Sequence, residues 1–167
     1  MNQIWHSYSM KYRIPSGATE MMLVPLREML PPSRLSQAEK PEDINAYARA
    51  HIMPSMLPVE NFWVLWTNTR RRITGFIKVS QGTQDTLLIH PREVFKSAIV
   101  ADASAIILVH NHPSGDCTPS EADIKVTRDL IRAGKLLKIE VLDHIILGHV
   151  AEQKNFTSLR ELGYFYS

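Results

Sequence analysis

Hydrophobic and polar positions organise this chain only from about residue 41 onward. Residues 1–40 hold no sustained period, and Pro15, Gly17, Pro25, Pro31 and Pro32 interrupt them, so they read as an N-terminal extension. Residues 41–52 predict a short helix. Pro41 suits the first helical turn, Glu42 and Asp43 favour the positive end of the dipole, Pro54 stops it, and Ile44, Tyr47, Ala48 and Ile52 share a face. Residues 61–67 are aromatic and aliphatic, 68–71 look like a turn, and 73–79 continue as a second strand, closed by Gln81-Gly82-Thr83. Residues 91–100 predict a helix with Val94, Phe95, Ala98 and Ile99 as its apolar positions. Residues 105–109 are continuously apolar, the mark of a strand buried on both faces. After a polar loop over 110–119, the pattern predicts a helix over 120–133 ended by Gly134. Two strands follow over 136–142 and 144–150, then a short apolar tail around Leu159, Leu162 and Phe165. This alternation predicts an α/β fold, a mixed sheet sandwiched by helices, with residues 41–167 as one domain.

Composition supports a packed core. Of 167 residues, 44% are hydrophobic and 22% charged, and the formal charge of +2 gives no argument for nucleic acid or a membrane surface. A lone cysteine, Cys117, excludes a disulfide within the chain. No stretch approaches the roughly 20 apolar residues of a membrane span, and the first residues lack a signal-peptide core. The expected setting is the cytoplasm, with no membrane partner.

The chemistry gathers in His110-Asn111-His112-Pro113-Ser114-Gly115-Asp116-Cys117-Thr118-Pro119-Ser120-Glu121-Ala122-Asp123. Two histidines two residues apart at a strand end project the same way. A loop then returns to the first turn of a helix, which presents Asp123. Two His and one Asp with a fourth position open is the make-up of a catalytic zinc site, where bound water reaches a pKa of about 7. The same spacing resembles the JAMM motif, and His-Asn-His-Pro-Ser-Gly followed by Pro119-Ser120 and Asp123 resembles its RadC-type branch. His90-Pro91-Arg92-Glu93-Val94-Phe95-Lys96, Ala133-Gly134-Lys135 and Val141-Leu142-Asp143-His144-Ile145-Ile146-Leu147-Gly148 extend the likeness, which covers about residues 59–163.

The resemblance implies a JAB/MPN (cytidine-deaminase-like) architecture and one zinc ion on His110, His112 and Asp123. It implies Glu60 as general base and Ser120 as a hydrogen-bond donor to the oxyanion, in hydrolysis of a peptide or isopeptide bond of a protein substrate. Alternatives are a DNA-repair-associated or DNA-binding accessory protein, and a non-catalytic JAB scaffold. Residues 1–58 hold no counterpart of the helix-hairpin-helix region common in RadC proteins, so DNA association gains nothing from them. Thr67-Asn68-Thr69 stands where RadC relatives usually carry an aspartate, and Cys117 where proline is more common.

Simpler roles compete at several positions. Ser120 and Asp123 also form the Ser-x-x-Asp of a capping box. Glu60 could be a solvent-facing residue at a strand entrance. His144 either orients the site from behind or bonds Asp143. Cys117 is a small loop residue or a group near the open zinc position. Arg70-Arg71-Arg72 reads as a solvated hairpin tip that could touch phosphates. Trp63 and Trp66, three apart, fall on opposite faces of a strand.

Overall fold

The computed structural model describes residues 36–52, 57–82, 89–152 and 154–166. Its elements run α1 (Pro41–His51), β1 (Glu60–Thr67), β2 (Ile73–Gly82), α2 (Pro91–Val100), β3 (Ala105–Asn111), α3 (Glu121–Leu137), β4 (Glu140–Leu147) and β5 (Phe156–Ser158). The strands form one sheet in the order β2-β1-β3-β4-β5. Only β3 and β4 are parallel, joined through α3; the other pairs are antiparallel. A mixed sheet between helices is what the sequence predicts. Of the N-terminal extension, residues 1–35 lie outside the described part. Within it, Gln37 bridges Arg72 and Ala38 is buried.

Strand alternation sorts the sheet into two faces. Trp63, Leu65, Ile107, Val109, Ile145 and Leu147 pack with Ile44 and Ala48 of α1 on one face. Phe62, Val64, Trp66, Ile106 and Leu108 pack with Val94, Phe95 and Ala98 of α2 and Leu130 of α3 on the other. Trp63 and Trp66 therefore part as expected. Residues of β3 from Ile106 to Val109 are fully buried, each contributing about 1.5–3 kcal/mol of apolar burial.

The C-terminal half departs from the sequence reading. Gly134 does not end α3, which runs to Leu137 and is capped by Lys138 in the left-handed region at φ 58°. A Cβ at Gly134 would lie 2.4 Å from the Ile139 carbonyl oxygen and 3.2 Å from Phe95 Cζ. The glycine answers a close approach inside the helix rather than a stop. Residues 136–142 and 144–150 are not two strands: Leu136 and Leu137 belong to α3, and β4 is one strand. Its alternation breaks because Leu142 is an extra residue, with Val141 opposite Ile106 and Asp143 opposite Ile107. Smaller shifts occur elsewhere. Strand β2 continues to Gly82, opposite Glu60, and β3 reaches Asn111. In the tail, Leu159 is buried and Leu162 half exposed, and β5 went unpredicted. Among the described residues, no helix is long and apolar enough to cross a membrane.

Candidate metal centre

Antiparallel pairing of β1 with β3 sets Phe62 opposite His110, so the start of β1 lies beside the end of β3. Glu60 thus arrives from the far end of the domain's first hairpin at the strand end that carries His110 and His112. Asn111 fixes this meeting: its Oδ1 accepts the Asn61 N–H at 3.0 Å and its Nδ2 donates to the Val59 carbonyl at 3.0 Å. The loop after β3 is seated by Gly148 at the end of β4, where a Cβ would lie 2.3 Å from the Gly115 carbonyl oxygen. It leads into α3, and the first turn of α3 returns Asp123 to the histidines.

The four side chains are buried and offer one donor atom each within 4.8 Å of one another. His110 Nε2 lies 2.9 Å from His112 Nε2 and 3.2 Å from Asp123 Oδ1. His112 Nε2 lies 3.4 Å from Asp123 Oδ2, and Glu60 Oε1 is farther out, 3.9 Å from His110 Nε2. Tetrahedral zinc with bonds of ~2.0–2.1 Å separates its ligand atoms by about 3.3 Å. The distances of 2.9–3.4 Å among the two histidines and Asp123 lie near that edge length, so the donor set fits a small divalent ion. His112 Nδ1 must donate to the Asp116 carbonyl, 2.7 Å away, which turns its Nε2 lone pair toward the cluster.

Asp123 serves the cap and the cluster together. Ser120 is the N-cap of α3: its Oγ accepts the Asp123 N–H at 3.2 Å, and its N–H and hydroxyl both donate to Asp123 Oδ2 at 2.7 Å. Oδ1 is left to face His110. The two readings of Ser-x-x-Asp are therefore compatible, because the carboxylate has two oxygens.

The two carboxyls titrate in opposite directions. Burial pushes Asp123 up, but hydrogen bonds from His110, His112 and Ser120 outweigh it and hold the carboxyl far below its usual range. Burial raises Glu60, opposed by His110 and His112 and reinforced by Asp123. Burial also lowers His112, yet its bond to Asp123 and its contact with Asp116 raise it overall. Such divergence of neighbouring groups is how sites separate an ionised ligand from a proton carrier.

Behind the cluster stands His144, fully buried, with Nε2 2.8 Å from His110 Nδ1 and Nδ1 2.6 Å from Thr127 Oγ1. Burial and the neighbouring His110 hold its pKa well below the usual histidine value. Its ring does not bond Asp143. Asp143 lies on the opposite face and accepts the His144 backbone N–H at 2.6 Å and the Ser158 hydroxyl at 2.8 Å. Phe62 stacks on His110 at 5.9 Å. Sequence reasoning missed Thr127 and Asn111. The signal for Thr127 was its spacing of four from Asp123 on one helix face. Cys117 is buried among Ile124, Ile146 and Leu159, receives the Thr157 hydroxyl at 3.2 Å, and is not part of the donor cluster. In the basic turn, Arg71 pairs with Glu140 at 3.1 Å across an exposed edge.

Fold and site together define an α/β domain with a buried Glu-His-His-Asp cluster that could hold a metal ion. The family model for the RadC-like JAB domain matches residues 38–164, and the chain belongs to that family. It is 51% identical over 106 residues to a UPF0758 protein of Desulforudis audaxviator, covering 64% of this chain and 44% of that one. With a UPF0758 protein of Moorella thermoacetica the identity is 54% over 102 residues, covering 61% and 43%. One of Syntrophomonas wolfei is 42% identical over 127 residues, covering 75% and 52%. The chain spans about half the length of the curated relatives it matches, and the name they carry states no activity.

Proposed function

We propose that this domain is a zinc-dependent hydrolase of the JAMM type acting on a peptide or isopeptide bond. The observation that carries the reading is the spacing of the donors. His110, His112 and Asp123 stand within 2.9–3.4 Å of one another, near tetrahedral edge lengths, while Glu60 stands beyond them, buried, with a raised pKa. His110, His112 and Asp123 would hold the ion. Zinc would supply Lewis acidity and ease deprotonation of water at neutral pH.

The chain's own groups do the rest. Glu60, close to the ligands without joining their tight set, takes the proton of the attacking water. It delivers that proton to the leaving nitrogen as the C–N bond breaks. A carboxyl raised by burial suits both halves of this transfer. Ser120 first holds Asp123 through Oδ2; with its hydroxyl turned outward, it donates to the oxygen of the tetrahedral adduct. Asn111 positions Glu60 by tying the start of β1 to the end of β3.

Elemental analysis of purified protein tests the metal. About one zinc per chain is expected in the wild type, and none in His112→Ala. A panel of peptide and isopeptide substrates then tests the chemistry: Glu60→Gln should keep the zinc and lose at least ~100-fold in turnover. Normal turnover in that variant would remove Glu60 as the base. A wild type that neither contains nor acquires zinc would overturn the hydrolase reading in favour of a JAB-like scaffold, with DNA and protein binding to be tested next.

A further inference from the structure

His112 owes its orientation to a fixed acceptor, the Asp116 carbonyl. Among the described residues, His110 Nδ1 has no carbonyl acceptor. Its Nδ1 meets another imidazole, His144 Nε2, and two neutral rings sharing one hydrogen bond can order it either way. The outcome matters, because His110 can offer Nε2 to a metal only if its own hydrogen sits on Nδ1.

The groups beyond His144 decide the order. Thr127 Oγ1 lies 2.6 Å from the Asp123 carbonyl oxygen, one turn back along α3, and 2.6 Å from His144 Nδ1. Thr127 and His144 are both fully buried, out of reach of water. The threonine has one hydrogen and two neighbours. Donated to the Asp123 carbonyl, it leaves Oγ1 as an acceptor. His144 then donates from Nδ1 and accepts at Nε2, His110 donates from Nδ1, and the His110 Nε2 lone pair faces Asp123 and His112. Donated to His144 instead, it gives up the bond to the Asp123 carbonyl and reverses both bonds of His144, and the hydrogen of His110 lies on Nε2, where it blocks ligation.

We infer that Thr127 and His144 form a positioning relay that sets His110 in its metal-binding tautomer. The hydroxyl of Thr127 serves as the terminal acceptor, and its own hydrogen is anchored on the backbone of the helix that carries Asp123. One helix thus supplies a carboxylate directly and, through Thr127 and His144, the orientation of a histidine on a different element. The inference rests on the metal reading given above and adds two residues that touch neither metal nor substrate.

Thr127→Val keeps the shape and removes the hydroxyl; Thr127→Ser keeps the hydroxyl. Zinc affinity is read by competition with a chromophoric chelator. Nitrogen NMR of ¹⁵N-histidine-labelled, zinc-loaded wild type locates the ring hydrogens. The expected results are a hydrogen on Nδ1 of His144, a loss of about 10–100-fold in affinity in Thr127→Val, and affinity within about 3-fold of wild type in Thr127→Ser. A hydrogen on Nε2 of His144 in zinc-loaded wild type, or unchanged affinity in a folded Thr127→Val, would overturn the relay while leaving the metal reading intact. The NMR result decides even if Thr127→Val does not fold. A wild type that binds no zinc would overturn both.

Discussion

Asp143 and His144 are neighbours in sequence, yet they answer to different surroundings. His144 faces the cluster; Asp143 faces the α1 side, buried, and takes bonds from Ser158, from the His144 backbone and from the Arg160 N–H. Burial outweighs these bonds and pushes its carboxyl up to about 6 from 3.8. A raised acid binds its proton more tightly when folded, so its stabilising contribution is complete below about pH 3.8 and lost as pH rises through about 6. At 1.36 kcal/mol per pH unit, that gap corresponds to about 3 kcal/mol. His144, held low, works in the opposite direction, its contribution fading as pH falls below 6.5. The Asp143 part must therefore be isolated by difference. Chemical denaturation from pH 7 to pH 4 should show wild type gaining about 2 kcal/mol relative to Asp143→Asn, most of the full contribution. A constant difference across that range would mean that Asp143 keeps an ordinary pKa.

At the scale of elements, α3 does the most for the site. Its cap orients Asp123, its next turn carries Thr127, and its far end packs against Phe95 through Gly134. Alanine is favoured over glycine in a helix by about 1 kcal/mol. Gly134→Ala should nevertheless destabilise the domain, because the new methyl meets the Ile139 carbonyl, a backbone atom that cannot swing aside. A net loss of about 1–3 kcal/mol is expected, read as a fall of about 2–4 °C per kcal/mol in the thermal midpoint. An unchanged or higher midpoint would show that the contact relaxes freely. The same glycine marks where sequence reading stopped. Strand β3 and helices α1 and α2 are legible because their patterns are local: a solid apolar run, and a proline at each helix start. Gly134 looked like a stop because a glycine demanded by packing and one demanded by a turn are the same letter. The cluster was legible because His110, His112 and Asp123 lie in one short stretch. Thr127 and Asn111 were not, since their partners are set by tertiary register rather than by spacing.

Across the whole molecule, the cluster draws together β1, the end of β3 and the start of α3, with β4 behind them. A ligand that binds this assembled set and not the unfolded chain must stabilise the fold by linkage. Zinc at 100 times its dissociation constant should add about 2.7 kcal/mol, a rise of roughly 5–10 °C in the melting midpoint of a chain of this size. Calorimetry with and without zinc, and with a chelator added back, reads this directly. A midpoint indifferent to zinc would place any binding elsewhere than at the folded cluster. The extra residue in β4 imposes a different kind of constraint. Val141 and His144 share a face although three positions separate them, because Leu142 adds a step that the partner strand does not take. Many apolar residues could stand at position 142, and losing its codon would leave Val141, Asp143 and His144 opposite Ile106, Ile107 and Leu108 in a regular ladder, with His144 still facing His110 but Leu142 missing from the core against α1. The extra step therefore supplies the core on the α1 side with one more side chain and leaves the aim of His144 as it was.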